Sequence, residues 1–272
     1  MTTELTREWL EADGLGGFAM GSADLARSRR YHALLCTAAT PPTGRMMLVA
    51  GNDVELRTGE AAYPLSTQRY APDVLHPRGD PLVTSFTVEP WPCWEFGLGN
   101  GMRVRYELFV PRGSSAVVQR WTLLPPVHAI SPAGQQPTTE PVWLEVRPFL
   151  AGRDYHWLRH EHDGMQVRHE PSAEGVRWQL VDGVGAAAGP AVIAHGNGEY
   201  RQGPVWYRNF RYREETERGF ADQEDLLARS ASGVLPTATC TTSSTSTMST
   251  ATWTAGCAAT RSSPSVACRC RC

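Results

Sequence analysis

The sequence predicts a mostly-β fold, a large antiparallel β-sandwich followed by a short helix and an irregular C-terminal tail. Short apolar runs recur along residues 1–220, and several alternate polar with apolar residues, as half-buried strands do. Glycine and proline, at 25 and 20 of 272 residues, separate these runs as turns do. Only residues 220–229 have the composition of a helix. Short strands at such spacing are typical of sandwiches and barrels.

Composition and charge limit the class of protein. A hydrophobic content of 41% suffices for a core, and 272 residues allow one large or two small domains. The formal net charge of −2 argues against a nucleic-acid partner, which would favour a basic face. No apolar run approaches the roughly 18 residues of a membrane span, and no basic-then-apolar signal opens the chain. We therefore expect a cytoplasmic protein with neither a nucleic-acid nor a membrane partner.

The first half of the chain contains the clearest strand patterns. Gly51-Asn52-Asp53 lies between two apolar runs and predicts a hairpin across residues 45–58. Residues 63–80 are interrupted by prolines and are predicted to form a loop. Strands are then predicted at residues 82–88, 103–110 and 116–123, with an extended aromatic stretch at 91–96 and a turn at 98–101.

The second half of the chain is predicted to contain the remaining strands of the sandwich, followed by a helix and a tail outside it. Residues 125–141 are rich in proline, serine and threonine and predict a surface loop. Further strands are predicted at residues 142–150, 165–168, 176–180, 191–194 and 205–212. Residues 220–229 predict a helix, since Asp222, Glu224 and Asp225 come early and Arg229 comes late, as the helix dipole prefers. The predicted divisions are a sandwich at 1–220, a helix and connection at 221–233, and a low-complexity tail at 234–272.

The tail differs in composition from everything before it. It contains no Asp or Glu, is dominated by Thr, Ser and Ala, and holds five of the seven cysteines. One interpretation is a disordered tail that carries thiols or a metal. The interpretation we prefer is translation in a shifted frame, because Thr, Ser and Ala codons of a GC-rich gene become Asp, Val and Gly codons when read one base earlier. Without the tail, Cys36 and Cys93 are an ordinary cytosolic number.

A glycine-dense segment follows the first apolar residues. Gly14, Gly16 and Gly17, with Ala19, fit the G-x-G-x-x-A pattern of dinucleotide-binding loops. That pattern requires a buried strand before it and an acidic residue about 20 positions later, and the sequence provides neither. We therefore predict a tight structural turn and no cofactor.

Two groups of side chains are candidates for sugar contact. Arg30 and His32 donate hydrogen bonds, and the ring of Tyr31 stacks on a pyranose; the alternative is that the arginines pair with acids and the tyrosine packs at a strand end, which we favour. Trp91 and Trp94 would bind carbohydrate if they face solvent and would be core if they are buried, and the core interpretation is the stronger.

Histidines and acids suggest two further kinds of site. His156, His160 and His162 lie near Asp154 and Glu161, but their spacing matches no zinc pattern, so we predict solvated histidines and no metal. An acidic cluster near the C-terminus of the sandwich is predicted to pair with neighbouring arginines or to cap the helix. Its members are Glu214, Glu215, Glu217, Asp222, Glu224 and Asp225.

Three blocks of residues together resemble a known family, the N-terminal domain of bacterial and archaeal glycogen debranching enzymes (amylo-α-1,6-glucosidases). The blocks contain EWL, GLGGF, RRYHALL and PPTGR within residues 8–45, RPFLAGRDYHWL at 147–158, and WYRNFRYREETERGFADQEDL at 206–226. Asp13 and Ala33 depart from the family's Asn and Gly, both small changes. Positions that match the motifs are Gly14, Gly16, Gly17, Arg153, Asp154, Arg218 and Gly219.

The resemblance implies a fold and a function. The implied fold is the supersandwich that precedes an (α/α)6 barrel, and the implied activity is hydrolysis of α-1,6 branch points in glycogen. The family's catalytic carboxylates lie in the barrel, so no catalytic residue is carried over to this sequence. The implied partners are an α-glucan and the barrel domain, and we expect this chain to be inactive alone. The alternatives are a stand-alone carbohydrate-binding sandwich and a redox or metal protein that uses the tail.

Overall fold

The structure is a computed structural model that describes residues 7–124, 141–172, 175–235 and 250–257. The strands of these residues, in chain order, are β1 Glu8–Ala12, β2 Phe18–Ser22, β3 Ala33–Thr40, β4 Thr43–Thr58, β5 Ala61–Pro64, β6 Thr67–Tyr70, β7 Val74–Arg78, β8 Val83–Thr87, β9 Cys93–Gly97, β10 Arg103–Phe109, β11 Ala116–Leu124, β12 Val142–Asp154, β13 Gln166–Ser172, β14 Gly175–Val181, β15 Val192–Gly196, β16 Glu199–Arg211, β17 Gln223–Leu235 and β18 Thr250–Cys257. A short helix, α1, covers Arg213–Glu217, and a 3-10 turn covers Asp80–Leu82.

These strands form two antiparallel sheets. The first runs β1-β2-β3-β4-β12-β17-β16-β6-β7, with β5 paired to β4, and the second runs β13-β14-β15-β18-β11-β10-β9-β8. The main core lies between them. Trp9 of the first sheet meets Trp94 of the second edge to face, with ring centroids 5.7 Å apart, and Leu56 and Trp121 belong to the same buried cluster. The predicted antiparallel sandwich is confirmed.

The centre of the first sheet is buried on both faces. Phe149, Met47, Phe210 and Leu226 form a second buried cluster on its outer side. The adjacent strands β4 and β12 therefore carry consecutive buried residues instead of an alternation. Where a strand is covered on both faces, its polar groups cannot reach water, so they must find hydrogen-bond partners within the protein.

The predicted hairpin at residues 45–58 is wrong, because β4 is one continuous strand. Gly51, Asn52 and Asp53 lie within it, opposite Phe149, Pro148 and Arg147 of β12. Pairing with β12 along most of its length overrides the local turn preference. The predicted loop at 63–80 is also wrong, because it contains β5, β6 and β7. Its prolines are tolerated since β7 is an edge strand and β5 pairs only with β4.

The helix predicted at residues 220–229 is wrong as well. The helix is α1, just before this segment, and Gln223–Leu235 is strand β17 between β12 and β16. Glu224, Leu226 and Arg229 are all buried there. The sequence places charges where a helix would favour them, but the two neighbouring strands supply backbone partners along the whole segment.

The remaining predicted strands agree with the structure, with shifted ends. Strands β8 to β12 and β13 to β16 cover the segments predicted between residues 82 and 212. The predicted loop at 125–141 lies, up to residue 140, outside the described residues. Within the tail expected to be irregular, Thr250–Cys257 is strand β18, paired with β11 and β15. The rest of the tail beyond Leu235 lies outside the described residues, and none of the described helices is long and apolar enough to cross a membrane.

Candidate functional site

Three segments that are distant in sequence meet at one end of the first sheet. They are residues 29–32 before β3, residues 154–158 after β12, and the stretch from α1 to Phe220 after β16. Strands β12 and β16 run in the same direction, so the segments that follow them leave the sheet at the same end. Residues 29–32 reach this end, where Arg30 donates from Nη1 to the carbonyl of His156 and from its backbone N–H to Glu215, both at 3.1 Å. Each segment belongs to a different one of the sequence blocks described above.

A buried ion pair lies beneath this meeting point. Arg153 and Glu224 are 4% and 0% exposed, and the guanidinium binds the carboxylate through Nε and through Nη2, the latter at 3.1 Å. The buried Tyr212 hydroxyl also donates to Glu224. Burial disfavours the charged guanidinium, but Glu224 and Tyr212 outweigh it and raise the pKa of Arg153. Arg153 Nη2 also donates to the carbonyl of Arg30 at 3.0 Å, so the pair ties β12 to residues 29–32.

A second buried acid ties the same segment to helix α1. Glu215 is 2% exposed and accepts the backbone N–H of Arg30 at 3.1 Å, with the Arg30 Nε 3.5 Å away. Arg29 lies between two acids, 2.5 Å from Glu8 and 3.5 Å from Glu214. Both arginines therefore pair with acids, as the structural interpretation of this motif predicts. The position of the loop is fixed from two sides.

His32 is buried beside these ion pairs, which with His32 we call the framework, and it is not available to a ligand. It is fully buried; its Nδ1 accepts the N–H of Ser28 at 3.2 Å, and its Nε2 lies 3.1 Å from Glu8 Oε1. An accepting Nδ1 places the proton of the neutral ring on Nε2, which then donates to the carboxylate. The hydrogen bond from His32, opposed by burial and reinforced by Arg29, lowers the pKa of Glu8 to about 2.

This carboxylate gives the fold an acid-dependent contribution to stability. The pKa of Glu8 falls from 4.5 in the unfolded chain to about 2 in the folded one, so its contribution is fully present above pH 4.5 and is lost as pH falls toward 2. We expect the urea midpoint of the wild type to drop more between pH 5 and pH 2.5 than that of Glu8→Gln. Parallel pH curves for the two proteins would contradict this assignment.

Above the framework, aromatic rings face solvent. Tyr31 donates to or accepts from His156 Nδ1 at 3.2 Å and packs against Tyr155 with centroids 5.6 Å apart. The Arg30 guanidinium lies 5.6 Å from the ring centre of Phe220. Trp157 and Phe220 are 71% and 61% exposed. We call this set the arginine–aromatic surface, and its members are Arg30, Tyr31, Tyr155, His156, Trp157 and Phe220.

An open groove continues from this surface past Trp157. Asp154, His160, Glu161 and Gly189 are among the residues that line it. Asp154 accepts the N–H of His156 at 2.8 Å, and Glu161 pairs with Arg208. The groove therefore offers a tryptophan ring beside exposed polar groups. Such a combination suits a ligand that has both apolar faces and hydroxyl groups.

The two predicted tryptophans lie elsewhere, on strand β9 and the loop before it. Trp94 is 1% exposed, stacks on Tyr106 with centroids 4.9 Å apart, and donates Nε1–H to the carbonyl of Ala23 at 2.9 Å. Its assignment to sugar binding is wrong, because neither ring face reaches solvent. Trp91 is half-buried; it packs on Phe109 and its Nε1 donates to Glu107 at 3.2 Å.

The glycine-rich segment is a tight turn between two antiparallel strands. It joins β1 to β2, so it does not open a helix as a dinucleotide loop must. Gly14 and Gly16 have φ of +78° and +104°. A Cβ at Gly17 would lie 2.4 Å from the carboxylate of Asp13. Asp13 Oδ1 accepts the N–H groups of Leu15 and Gly17 at 2.6 and 2.9 Å, which closes the turn.

The other motif positions have structural roles or are exposed. Gly219 follows α1 with φ of +74°, which favours glycine, and its N–H donates to Thr216 O at 3.1 Å. Arg218 is exposed at the end of the helix. His160 lies 3.7 Å from Asp225, and no group of three or more metal-ligating side chains occurs in the described part of the chain. Acids of the predicted cluster pair with arginines, as Asp222 does with Arg211.

Sequence reasoning missed three members of the arginine–aromatic surface. Tyr155, Trp157 and Phe220 stand inside the quoted motifs but were not candidates, because a ring in a motif is core more often than surface. Their signal was position: each follows the end of a strand or helix, where a side chain can point away from the sheet.

The fold and the site define a β-sandwich domain in which three sequence blocks contact one another at one end of the first sheet. The family model described as glycogen debranching enzyme N terminal matches residues 7–232. The chain therefore belongs to that family. No curated protein matches the sequence. Similar solved structures include a bacterial glucoamylase complexed with acarbose, at 8% identity and a TM-score of 0.39, over 93% of this chain and 30% of that one. This chain thus spans less than a third of the glucoamylase.

Proposed function

We propose that this chain is the non-catalytic N-terminal domain of a cytoplasmic glycogen debranching enzyme and that it contacts α-glucan. The observation that carries the proposal is the arginine–aromatic surface, where the exposed rings of Trp157 and Phe220 and the half-buried ring of Tyr31 lie beside arginine and histidine donors. Membership of the family supplies the substrate class. Hydrolysis of α-1,6 branch points belongs, in this proposal, to a catalytic domain that acts together with this one.

The physical basis for glucan contact is the pairing of flat apolar faces with fixed donors. A pyranose presents C–H groups on its faces and hydroxyls at its edge, so a ring such as Trp157 covers a face while Arg30 and His156 reach the hydroxyls. The framework of Arg153, Glu224 and Glu215 holds the backbone beneath these groups. A site that is ordered before binding loses less conformational entropy when the ligand arrives.

The acids of the groove already have hydrogen-bond or ion-pair partners, and this supports a non-catalytic, accessory role for the domain. Glycoside hydrolysis needs two carboxyl groups facing each other across the bond, roughly 5–10 Å apart. Around the groove, Glu161 pairs with Arg208 and Asp154 caps a backbone N–H. The purified chain is therefore expected to release no glucose from a branched dextrin, and release by the wild type would contradict the accessory role.

Glycogen retention tests the binding part of the proposal. Trp157→Ala removes the most exposed ring of the site, and we expect it to weaken retention in glycogen-containing native gels at least about tenfold. The matched control is Trp143→Ala, a 42% exposed tryptophan near the other end of β12. Equal retention of wild type and Trp157→Ala would rule out this surface, and loss in both variants would show that the effect is not local.

A further inference from the structure

A buried arginine packed on Phe149 and Phe210 of the outer cluster has no counterion among the described residues. Arg27 is 8% exposed, and none of the carboxylates in the described ranges forms an ion pair with it. Its hydrogen bonds are long, 3.5 Å to the Tyr212 hydroxyl and 3.4 Å to Gln68 Oε1, and its Nε–H has no partner in the part of the chain that the structure describes. The guanidinium lies 4.2, 5.2 and 5.9 Å from the ring centres of Phe210, Phe149 and Tyr212, and none of these rings supplies a full negative charge.

Arg27 lines a cavity that is large enough for a small ligand and that has unpartnered polar atoms in a mostly apolar wall. The cavity has a volume of about 70 Å³, several times the space that one water molecule requires, on the order of 10–15 Å³. Trp9 and Asn52 also line it, and both carry buried atoms without partners, Trp9 Nε1 and Asn52 Oδ1. Unpartnered donors at the wall of a cavity of this size provide a site for a small solvent species.

We propose that this cavity binds a small monovalent anion, chloride or bromide in size, on Arg27 and Trp9. Both side chains present an N–H donor without a partner, and the guanidinium adds a full positive charge in a region of low dielectric. The closest acid along the hydrogen-bond network, Glu224, is reached through the Tyr212 hydroxyl and is already neutralised by Arg153. An anion compensates the charge of Arg27 in a way that water does not.

The amide of Asn52 supplies a third donor when it turns by 180°. At present Asn52 Nδ2 donates to Gln119 Oε1 at 2.7 Å, and Tyr106 donates to the same oxygen at 2.8 Å. If both amides turn, Gln119 Nε2 donates to Asn52 Oδ1 and to the Tyr106 hydroxyl, and Asn52 Nδ2 replaces the unpartnered Oδ1. Oxygen and nitrogen of an amide exchange places at little cost in shape. Anion binding therefore favours the arrangement in which the amides of both Asn52 and Gln119 are turned.

Two measurements on the wild-type chain test the anion site, independently of any glucan function. In crystals grown with bromide, we expect an anomalous peak within hydrogen-bond distance of Arg27 Nε and Trp9 Nε1. In thermal unfolding at constant ionic strength, we expect Tm to be about 3 °C higher in chloride than in gluconate, which is too large for the cavity. Ordered water at this position without a bromide peak, or equal Tm values in the two salts, would overturn the proposal.

Substitutions at two buried arginines test whether the chloride dependence of Tm comes from this cavity. Arg27→Met keeps the length of the side chain and is expected to abolish the difference between chloride and gluconate. The control is Arg229→Met, since Arg229 is also buried, at 4% exposed, and lies outside the cavity lining; its chloride dependence should equal that of the wild type. If either variant fails to fold, the bromide peak of the wild type decides, and a peak elsewhere in the protein counts against the site.

Discussion

Replacing Glu224 by glutamine is expected to destabilise the domain by about 3–5 kcal/mol, because it leaves Arg153 charged and buried without its partner. Glu224 is fully buried and accepts from Arg153, from Tyr212 and from the backbone N–H of Arg159 at 3.2 Å. Glutamine keeps the shape but offers one oxygen in place of two and no charge. Urea unfolding followed by tryptophan fluorescence measures the change.

The control for this experiment is Glu217→Gln on helix α1. Glu217 is 63% exposed and lies 3.6 Å from Arg213, so its loss is expected to change stability by less than about 0.5 kcal/mol. The double variant Arg153→Met/Glu224→Gln is expected to be less destabilised than the sum of the two single variants, since no uncompensated charge then remains. A loss below about 1 kcal/mol for Glu224→Gln would show that Arg153 finds other acceptors.

The sequence predicts the sandwich well because alternation and turn residues are local signals. Arg103–Phe109 alternates in the sequence and is half-buried strand β10 in the structure. Prediction fails where burial is two-sided. Strand β4 contains Gly51-Asn52-Asp53, a local turn signal, yet β12 pairs across it. Strand β17 carries helix-like charges, yet its acid Glu224 is the buried partner of Arg153. These partners are 71 residues apart, a separation that no local pattern reveals.

Only the part of the candidate site that lies within one local motif could be predicted from the sequence. Arg30 and Tyr31 follow from a motif that concentrates a cation and a phenol at a strand end. The companions Trp157 and Phe220 follow β12 and α1, and only the folded chain, in which Arg30 contacts the carbonyl of His156 and the Phe220 ring, brings them near. Trp94 is the reverse case, since its aromatic stretch with prolines resembles a sugar-binding surface, but the first sheet covers it and it is core, as the stronger interpretation predicts.

Replacing Trp94 by alanine is expected to destabilise the domain by about 3–5 kcal/mol, as large-to-small changes of buried aromatic residues do. The ring is 1% exposed and contacts Tyr106, Phe86 and Trp9, the last from the opposite sheet. Its removal opens a void between the sheets and leaves the carbonyl of Ala23 without its donor. Urea unfolding measures the loss, and retention on glycogen below the unfolding midpoint should equal that of the wild type.

Two companion variants separate packing from sugar contact. Trp94→Phe keeps a six-membered ring but loses the pyrrole part of the indole and its hydrogen bond to Ala23, so we expect a smaller loss of about 1–3 kcal/mol. Trp91→Ala alters a half-buried ring and is expected to lose about 1 kcal/mol. If Trp94→Ala instead unfolds at the wild-type urea concentration and releases glycogen, the two sheets do not close over this ring. The sugar contact would then lie on the second sheet, away from the arginine–aromatic surface.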